Sequence, residues 1–489
     1  MMKILKMSYK ILTIGAVCMS ACACHFLEVE KIGKSDIESF FDSPESVTAA
    51  VTGCYSLMNT LTDKYMVLYP EICGDLVNMN ANENSAWSYM YNFDFSESYN
   101  ASPIGFVWKS AYEVVLNACE IIDYAPSVTE RYPQQKDAVD RQVAQAYYLR
   151  ALATLDLSLC YGQHYGYTAD ASHLGVVVMR SFPNLNASIV RSSAAETYAF
   201  ILEDLQNAYS LLPDGDVTDV HYASKAAVKA LQARVHLYME NWEEALSAAE
   251  DVIGNYGFSL TPREGYFDMF TTVSSKGTET IFSLDGYSES RDLTKAFDYQ
   301  SYFLLPSQKL LKLFTDSEDP SHPDVRYSLL NYDGRTGSKG CSMKYTILEN
   351  VADRDKAVDI AVSRLSEMYL IHAEALCRLD RDLDRAAEDI AKLRSRATGL
   401  SEAECMPEHG DAAKLLSEVE KERIKELYHE GFRLWDITRC RENLERDASS
   451  TSTVKTITYP DDDFIFPIPG VEIEANTEIQ PNPNNETQR

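Results

Sequence analysis

The sequence predicts a mainly α-helical protein, built from helix pairs around a region of loops and short strands. Three stretches carry this prediction: 143–161, 224–254 and 422–436. Drawn as a helix, the first has apolar residues on two sides, as expected of a buried helix. The second holds two helix patterns joined by a tight turn, and the third repeats carboxylates at the four-residue spacing of a helix face.

The predicted helices follow one another as hairpins along the chain. Small residues face each other across the turn at Glu240 and Asn241, which resembles a tetratricopeptide unit. The spacing between hairpins is too irregular for a regular solenoid. We expect helices at 36–59 and around 108–117, followed by the pairs 143–161 with 193–211, 224–239 with 242–254, and 364–379 with 385–397.

The chain between these hairpins is rich in glycine, serine, tyrosine and aspartate. Residues 162–186 read as a loop, and 255–345 form a longer loop-rich region. Within it, 279–283 favours a short strand because of its β-branched and aromatic residues.

The stretch 422–436 combines acidic and basic residues at helical spacing. Glu422, Glu426 and Glu430 share one stripe. Arg423 lies three residues from Glu426 and Arg433 three from Glu430, a spacing at which side chains pair on a helix surface. A row of catalytic carboxylates is the alternative, but acid–base pairs need distinct environments. We therefore expect these charges to bind neighbouring segments of the protein.

Gly431 interrupts that stretch, where glycine is unfavourable inside a helix. It indicates either a close backbone approach or the end of one helix and the start of a turn.

The N-terminus has the features of a secretion signal. Three lysines within the first ten residues precede an apolar run at 11–21, too short to span a bilayer. Small residues just before Cys22 resemble a bacterial lipobox, which predicts a signal peptide at 1–21 and lipidation of Cys22. Cys24 is the second candidate, and plain secretion after residue 21 is the alternative.

Charge and cysteine content exclude several classes of protein. A net charge of −29 argues against nucleic-acid binding and against docking on anionic lipid. The eight cysteines after Cys24 are scattered, so a disulfide scaffold is not indicated. Cys160 and Cys377 lie in helical runs and are expected to be small core residues.

Aromatic residues alternate between positions 87 and 95, and this stretch is the strongest candidate for ligand recognition. On a strand all five rings would share one face. Sugars present flat C–H faces that suit rings, and hydroxyl edges that suit amides and carboxylates. Trp87 and Tyr89 are expected at the surface, whereas Tyr91, Phe93 and Phe95 could equally pack in the core.

Polar residues precede that stretch, and tyrosines of the loop-rich region supply a second candidate wall. The candidate glycan-binding residues are Asp75, Asn80, Asn82, Trp87, Tyr89, Tyr287 and Tyr299.

Known catalytic and metal-binding motifs are missing from the sequence or incomplete in it. The sequence has no zinc-protease, nucleotide-loop, serine-hydrolase or EF-hand pattern, and we expect no cofactor. His372 and Glu374 match half of a zinc-deaminase signature without its cysteines, so His372 is expected to be packed in a helix.

An acidic segment near position 320 could offer oxygen ligands to Ca²⁺. The prolines within it favour a solvated loop instead, so no metal is assigned. Its acidic residues are Asp316, Glu318, Asp319 and Asp324.

Three motifs carry a family resemblance. One reads Glu422-Arg423, Glu426-Leu427, Glu430-Gly431-x-Arg433 and Trp435-Asp436-x-x-Arg439; the others are 363–375 and Phe466-Pro467-Ile468-Pro469. Together they resemble the SusD/RagB family of Bacteroidetes outer-membrane nutrient-binding lipoproteins, over about residues 22–480. The chain departs from that pattern at 480–483, where Gln-Pro-Asn-Pro replaces the usual Gln-Asn.

The resemblance implies one domain at 22–489, with an N-terminal part at about 22–220 and a C-terminal part at about 260–489. It implies tetratricopeptide-like helix pairs that cradle a loop-rich region. It also implies a lipid-anchored cell-surface protein of the outer membrane that binds a glycan without breaking bonds and delivers it to a SusC-like TonB-dependent transporter. A surface glycoside hydrolase and a helical adaptor for protein partners are the rival functions.

Overall fold

A computed structural model describes the chain from residue 37 to residue 485, with gaps. The chain divides into two compact units, 1–42 and 43–489. In the first unit the described residues form helix α1 (Ile37–Phe40). The described ranges are 37–80, 86–95, 103–183, 189–215, 219–273, 277–286, 292–297, 304–316, 319–330, 342–346 and 358–485.

Helices make up most of the second unit. In chain order they are α2 (Pro44–Leu61), α3 (Leu68–Ile72), α4 (Ala86–Tyr91), α5 (Pro103–Arg131), α6 (Lys136–Tyr161), α7 (Ala194–Leu211), α8 (Lys225–Tyr238), α9 (Trp242–Asn255), α10 (Arg263–Thr271), α11 (Asp292–Phe297), α12 (Gln308–Thr315), α13 (Val325–Ser328), α14 (Leu365–Arg378), α15 (Leu383–Thr398), α16 (Glu402–Cys405), α17 (Ala412–Leu427), α18 (Arg433–Arg439) and α19 (Gly470–Ala475). A π-helix, Thr62–Met66, follows α2 directly.

The predicted helix pairs are confirmed. Helix α6 packs against α7, α8 against α9, and α14 against α15. The series is continuous, because α5 packs on α6, α7 on α8, and α9 on α14. The mainly α-helical scaffold of hairpins is therefore the architecture of the second unit.

Local sequence explains where two of these helices begin. Ser193 caps α7 in a capping box, in which its hydroxyl accepts from the Glu196 N–H and the Glu196 carboxylate accepts from the Ser193 N–H. Ser224 caps α8 by accepting from the Ala227 N–H at 3.2 Å.

The strands are short and form three two-stranded antiparallel sheets within the described residues. The strand predicted at 279–283 is confirmed, one residue further along, as β2, which pairs with β4. The strands are β1 (Val77–Met79), β2 (Thr280–Leu284), β3 (Leu304–Pro306), β4 (Ile360–Arg364), β5 (Leu444–Glu445) and β6 (Thr456–Ile457), with β1 paired to β3 and β5 to β6.

Cysteines behave as small apolar residues in this fold. Cys160 and Cys377 are buried, as predicted. Seven cysteines lie in the described part of the chain, and all are free thiols.

The predicted helical stretch at 422–436 is two helices joined by a sharp turn. Helix α17 ends at Leu427 and α18 begins at Arg433. Gly431 has a φ of +87°, and a Cβ there would lie 2.9 Å from the Met66 carbonyl oxygen. Of the two roles that the sequence suggested for this glycine, the close backbone approach is present, and Gly431 lies within the turn, three residues after Tyr428 caps α17.

The carboxylates of that stretch lie in a buried ionic network. Glu426 accepts from Arg364 and Arg396 at 2.6 Å each and from Arg326 at 3.0 Å. Burial alone would raise the pKa of Glu426, but these guanidiniums hold it well below its usual value. The structural interpretation of the glutamate stripe is confirmed.

Glu430 belongs to the same network through different partners. Lys344 Nζ donates to Glu430 at 2.6 Å, and Arg364 Nε donates to it at 2.8 Å. Burial lowers the pKa of Lys344 to about 8, although Glu430 opposes that shift.

The expected pairing of arginines within the stretch is wrong. Arg433 does not bind Glu430; it binds Asp75 through two hydrogen bonds, of 2.7 and 3.0 Å. Arg423 binds Asp436 rather than Glu426. The break at Gly431 changes the direction of the chain, so helical spacing no longer decides which charges meet.

Substituting Arg433→Ala should lower the free energy of unfolding by roughly 3–5 kcal/mol, because it leaves the buried Asp75 carboxylate without its main partner. Denaturant or thermal unfolding of the purified protein measures this loss. Arg381→Ala is the matched control: its ion pair with Glu243 is about half exposed on both sides, so it should cost about 1 kcal/mol or less. Equal stability of the two variants would contradict the structural role of Arg433.

Candidate functional site

The aromatic stretch from Trp87 onward begins as a helix, which corrects the predicted strand. Residues Ala86–Tyr91 form α4, and the chain then turns at Phe93, whose φ is +54°. The five rings therefore do not share one face, since helical periodicity replaces the two-residue repeat of a strand.

Burial separates the five rings into two groups. Tyr91, Phe93 and Phe95 are buried, so they belong to the core. Trp87 and Tyr89 are half-buried.

Trp87 meets a second ring from the π-helix. The centroids of Trp87 and Tyr65 are 6.2 Å apart, with an angle of 45° between the ring planes. Both side chains are partly exposed, so the pair presents tilted aromatic surface to solvent. Single π-turns of this kind are frequent at functional sites.

A carboxylate borders the aromatic pair. Burial, and next the negative charge of Asp292, raises the pKa of Tyr65 to about 12. The phenol therefore keeps its proton at neutral pH and can donate a hydrogen bond. Asp292 is half-buried at the first position of α11.

Helix α11 is fixed to the π-helix by one buried side chain. The Asp63 carboxylate accepts from the Asp292 N–H at 3.1 Å and from the Leu293 N–H at 3.5 Å. Because Asp63 and Tyr65 belong to the same π-helix, the Asp63 carboxylate holds Asp292 near Tyr65.

The buried side chain of Arg446 links α4 to the end of α3 and the residues after it. Arg446 donates to the carbonyl oxygens of Ile72 at 2.9 Å, Gly74 at 2.9 Å and Tyr91 at 2.6 Å. Its guanidinium also lies 4.3 Å from the centre of the Tyr91 ring. The helix that carries Trp87 is thus joined to the segment after α3.

Two of the polar residues that precede the aromatic stretch, Asn78 and Asn80, lie at β1. Tyr91 donates to the side-chain oxygen of Asn78 at 3.1 Å. Asn80 is half-buried at the end of β1, and because β1 and β3 are antiparallel, this is the end at which β3 begins.

Asp75, predicted to contact a glycan, is buried and already paired. Its carboxylate accepts from Arg433 and, at 2.5 Å, from Lys309. Burial alone would raise the pKa of Asp75, but Arg433 and Lys309 lower it to about 2. We therefore reassign this carboxylate to packing beneath the site, because both of its oxygens are occupied inside the protein.

Several predicted residues lie outside the described part of the chain. They are Asn82, Tyr287 and Tyr299 among the candidate ligand contacts, and Cys22 and Cys24 among the candidate lipidation sites.

Sequence reasoning missed Tyr65 and Asp292. Neither lies in a motif, and a π-helix leaves no periodic signal in the sequence. Their distances from Trp87 along the chain, 22 and 205 positions, put their proximity beyond any local pattern.

The other chemical candidates have structural roles. Asp324 caps α13 and binds Arg326 with both oxygens. Asp319 accepts from the Ser321 N–H, as in a polar loop, and Glu318 lies outside the described residues. His372 is buried in α14 and hydrogen-bonded to Asp389, as expected of a packed histidine.

A buried carboxyl holds the turn at Gly431. Glu71 accepts from the Gly431 N–H at 3.0 Å and from the Phe432 N–H at 3.3 Å. Burial raises the pKa of Glu71 to about 7, although these N–H groups favour its ionised form. The turn that contacts the π-helix is therefore tied to α3 by a group that titrates near neutral pH.

Comparison with known proteins agrees with this architecture. A family model described as "Starch-binding associating with outer membrane" matches residues 25–237, and a model described as "SusD family" matches 342–484. SusD-like protein P2 of Formosa agariphila is 24% identical, with 97% of this chain and 99% of that protein aligned. The chain belongs to the SusD family.

Solved structures have the same fold. A SusD superfamily protein from Bacteroides thetaiotaomicron has a TM-score of 0.79 at 25% identity, covering 90% of this chain and all of that one. A SusD-like carbohydrate binding protein from Bacteroides vulgatus has a TM-score of 0.72 at 20% identity, covering 89% and 97%. None of the helices that the structure describes combines the length and the hydropathy required to cross a membrane.

The titration of Glu71 predicts how stability depends on pH. Because the pKa of Glu71 is about 7 in the folded protein and its ordinary value is 4.5, the folded state binds its proton more tightly than the unfolded state does. Its contribution is full below about pH 4.5 and is lost as pH rises to about 7. Glu71→Gln should therefore gain stability relative to wild type across this range, by up to about 3 kcal/mol.

Unfolding measured at pH 4.5 and at pH 8 tests this expectation. Glu203→Gln, which removes a half-exposed carboxylate paired with Arg180, controls for the loss of one acidic group. A stability difference between Glu71→Gln and wild type that stays constant with pH would show that Glu71 remains ionised.

Proposed function

We propose that this protein binds a glycan at the surface formed by Tyr65, Trp87 and Asp292, without cleaving it. The observation that carries this proposal is the half-buried Tyr65–Trp87 pair, tilted at 45° beside a carboxylate. Family membership adds support, since one matching family model is described as starch-binding and a structural relative as carbohydrate binding.

The chemistry of this surface suits a sugar. Aromatic rings with one polar end contact the C–H faces of a pyranose and still reach water. A carboxylate accepts hydrogen bonds from hydroxyl groups, and a protonated tyrosine donates one. Asn80, Asn82, Tyr89, Tyr287 and Tyr299 remain candidates for further contacts.

The three elements that carry these residues are fixed to the rest of the protein, which also favours ligand binding. Trp87, Tyr65 and Asp292 are carried by α4, the π-helix and α11, and backbone contacts fix each of these elements. A site arranged before the ligand arrives loses less conformational entropy on binding.

Replacing Trp87 with alanine should weaken glycan binding at least about tenfold, which corresponds to about 1.4 kcal/mol. Affinity gels or calorimetry with a panel of polysaccharides, starting with starch, measure the change. The melting temperature should fall little, because truncating a fully buried tryptophan would instead cost roughly 3–5 kcal/mol.

The control is Phe182→Ala, which removes a ring that is 49% exposed elsewhere on the surface; it should bind normally. Undiminished binding by Trp87→Ala, or no binding of any polysaccharide by wild type, would contradict the proposed site. Release of reducing ends by the wild-type protein would instead identify a hydrolase, and binding to protein alone an adaptor.

We further propose that the protein is lipid-anchored through Cys22 at the cell surface and passes its ligand to a SusC-like TonB-dependent transporter. The lipobox-like residues before Cys22 and the family description, which associates it with the outer membrane, support this placement.

Purification from native membranes in mild detergent should recover wild type together with a large outer-membrane transporter. Cys22→Ala should shift the protein to the soluble fraction, because the acyl chains that anchor it are absent. Cys24→Ala is the control and should stay in the membrane. Release by Cys24→Ala alone would move the lipidation site, and recovery of wild type without a transporter would contradict the partnership.

A further inference from the structure

Three chain segments meet at one end of the β2–β4 sheet, away from the network around Glu426. Leu284 pairs with Ile360, so the antiparallel register places Asp285 opposite Asp359 at the next position. The Ser283 N–H donates to the Val220 carbonyl oxygen at 2.9 Å, which brings the next residue, His221, to the same end. One ligand atom each from His221, Asp285 and Asp359 lies within 4.8 Å of the others.

The imidazole is held between carboxylates. Nδ1 of His221 lies 3.0 Å from Asp219 Oδ1, and Nε2 lies 2.9 Å from Asp359 Oδ2. A neutral imidazole carries one N–H. If Nδ1–H donates to Asp219, the lone pair of Nε2 faces an oxygen that is also an electron-pair donor. That contact is favourable only with a cation between or beside the two atoms, either a proton or a metal ion.

We propose that His221, Asp285 and Asp359 bind a divalent transition-metal ion of the zinc type. Imidazole nitrogen and carboxylate oxygen are both ligands that Zn²⁺ accepts, whereas Ca²⁺ prefers oxygen ligands only. Carboxylates directly opposite each other on neighbouring strands repel, and a dication offsets that repulsion.

Hydrogen bonds from neighbouring groups orient the three candidate ligands, as they do in known metal sites. Asp219 accepts from Nδ1 and so orients the ring, as second carboxylates do for metal-bound histidines. The other oxygen of Asp359 accepts from the Gly286 N–H at 2.9 Å, and Asn59 on α2 donates to the Asp285 carbonyl oxygen.

Such an ion would join β2, β4 and the 219–221 segment at a single point. Asp285 immediately precedes Gly286 and lies two positions before Tyr287, a candidate ligand contact. The metal would therefore fix the chain where the segment carrying Tyr287 begins. This inference does not depend on glycan binding, because the cluster shares no residue with the Tyr65–Trp87 surface.

Titration of the untagged, EDTA-treated protein with ZnCl₂ tests the site by calorimetry and by melting temperature. Wild type should bind about one equivalent and melt at a higher temperature, with the shift reversed by EDTA. His221→Ala should lose both effects. Asp219→Asn, which alters only the group that orients the ring, should weaken affinity roughly 10–100-fold.

His322→Ala is the matched control, since His322 also lies beside a carboxylate, Asp319, at 3.2 Å; it should bind Zn²⁺ as wild type does. Asp285→Asn changes an exposed side chain and provides a second test if His221→Ala fails to fold. Equal Zn²⁺ affinity in wild type, His221→Ala and Asp285→Asn would overturn the proposal. Binding of Ca²⁺ but not Zn²⁺, or of neither ion, would do so as well.

Discussion

The contact between the Glu426 carboxylate and three buried guanidiniums is the interaction on which the rest of the structure depends. Arg326, Arg364 and Arg396 come from α13, the end of β4 and α15, so one carboxylate joins three separate parts of the chain. Removing two opposite charges from water is costly, and the total gain is small. Every arrangement that leaves one partner unpaired is strongly disfavoured, however, and the network therefore specifies how the loop-rich region sits on the helices.

A short series of contacts links this network to the elements that carry the candidate site. Glu430 continues the network to the turn after α17, and Gly431 brings that turn against the backbone of Met66. Met66 ends the π-helix that carries Tyr65. Asp75, bound by Arg433, precedes β1. The charges of the 422–436 stretch, which the sequence predicted to bind neighbouring segments, thus support the elements that carry the aromatic surface.

The sequence predicted features that depend on neighbouring residues and missed those that depend on distant ones. The helix pairs, the strand at β2 and the role of Gly431 follow from periodicity and backbone freedom, which are local. Asp75 was misassigned because its partner Arg433 is 358 positions away. The strand expected at 87–95 was wrong because α4 is set by contacts such as those of Arg446. Trp87 was expected at the surface and is half-buried, and its neighbour Tyr65 comes from a π-helix with no sequence signal.

Two buried carboxyls near the same turn show how the kind of partner decides their charge. Asp75 faces a full guanidinium and an ammonium, which lower its pKa to about 2. Glu71 faces mainly backbone N–H groups, and burial raises its pKa to about 7. Partial charges on amides offset less of the cost of burying an anion than full cations do. The β1 side of the site is thus fixed across the physiological pH range, whereas the contact between α3 and the Gly431 turn changes its charge state within it.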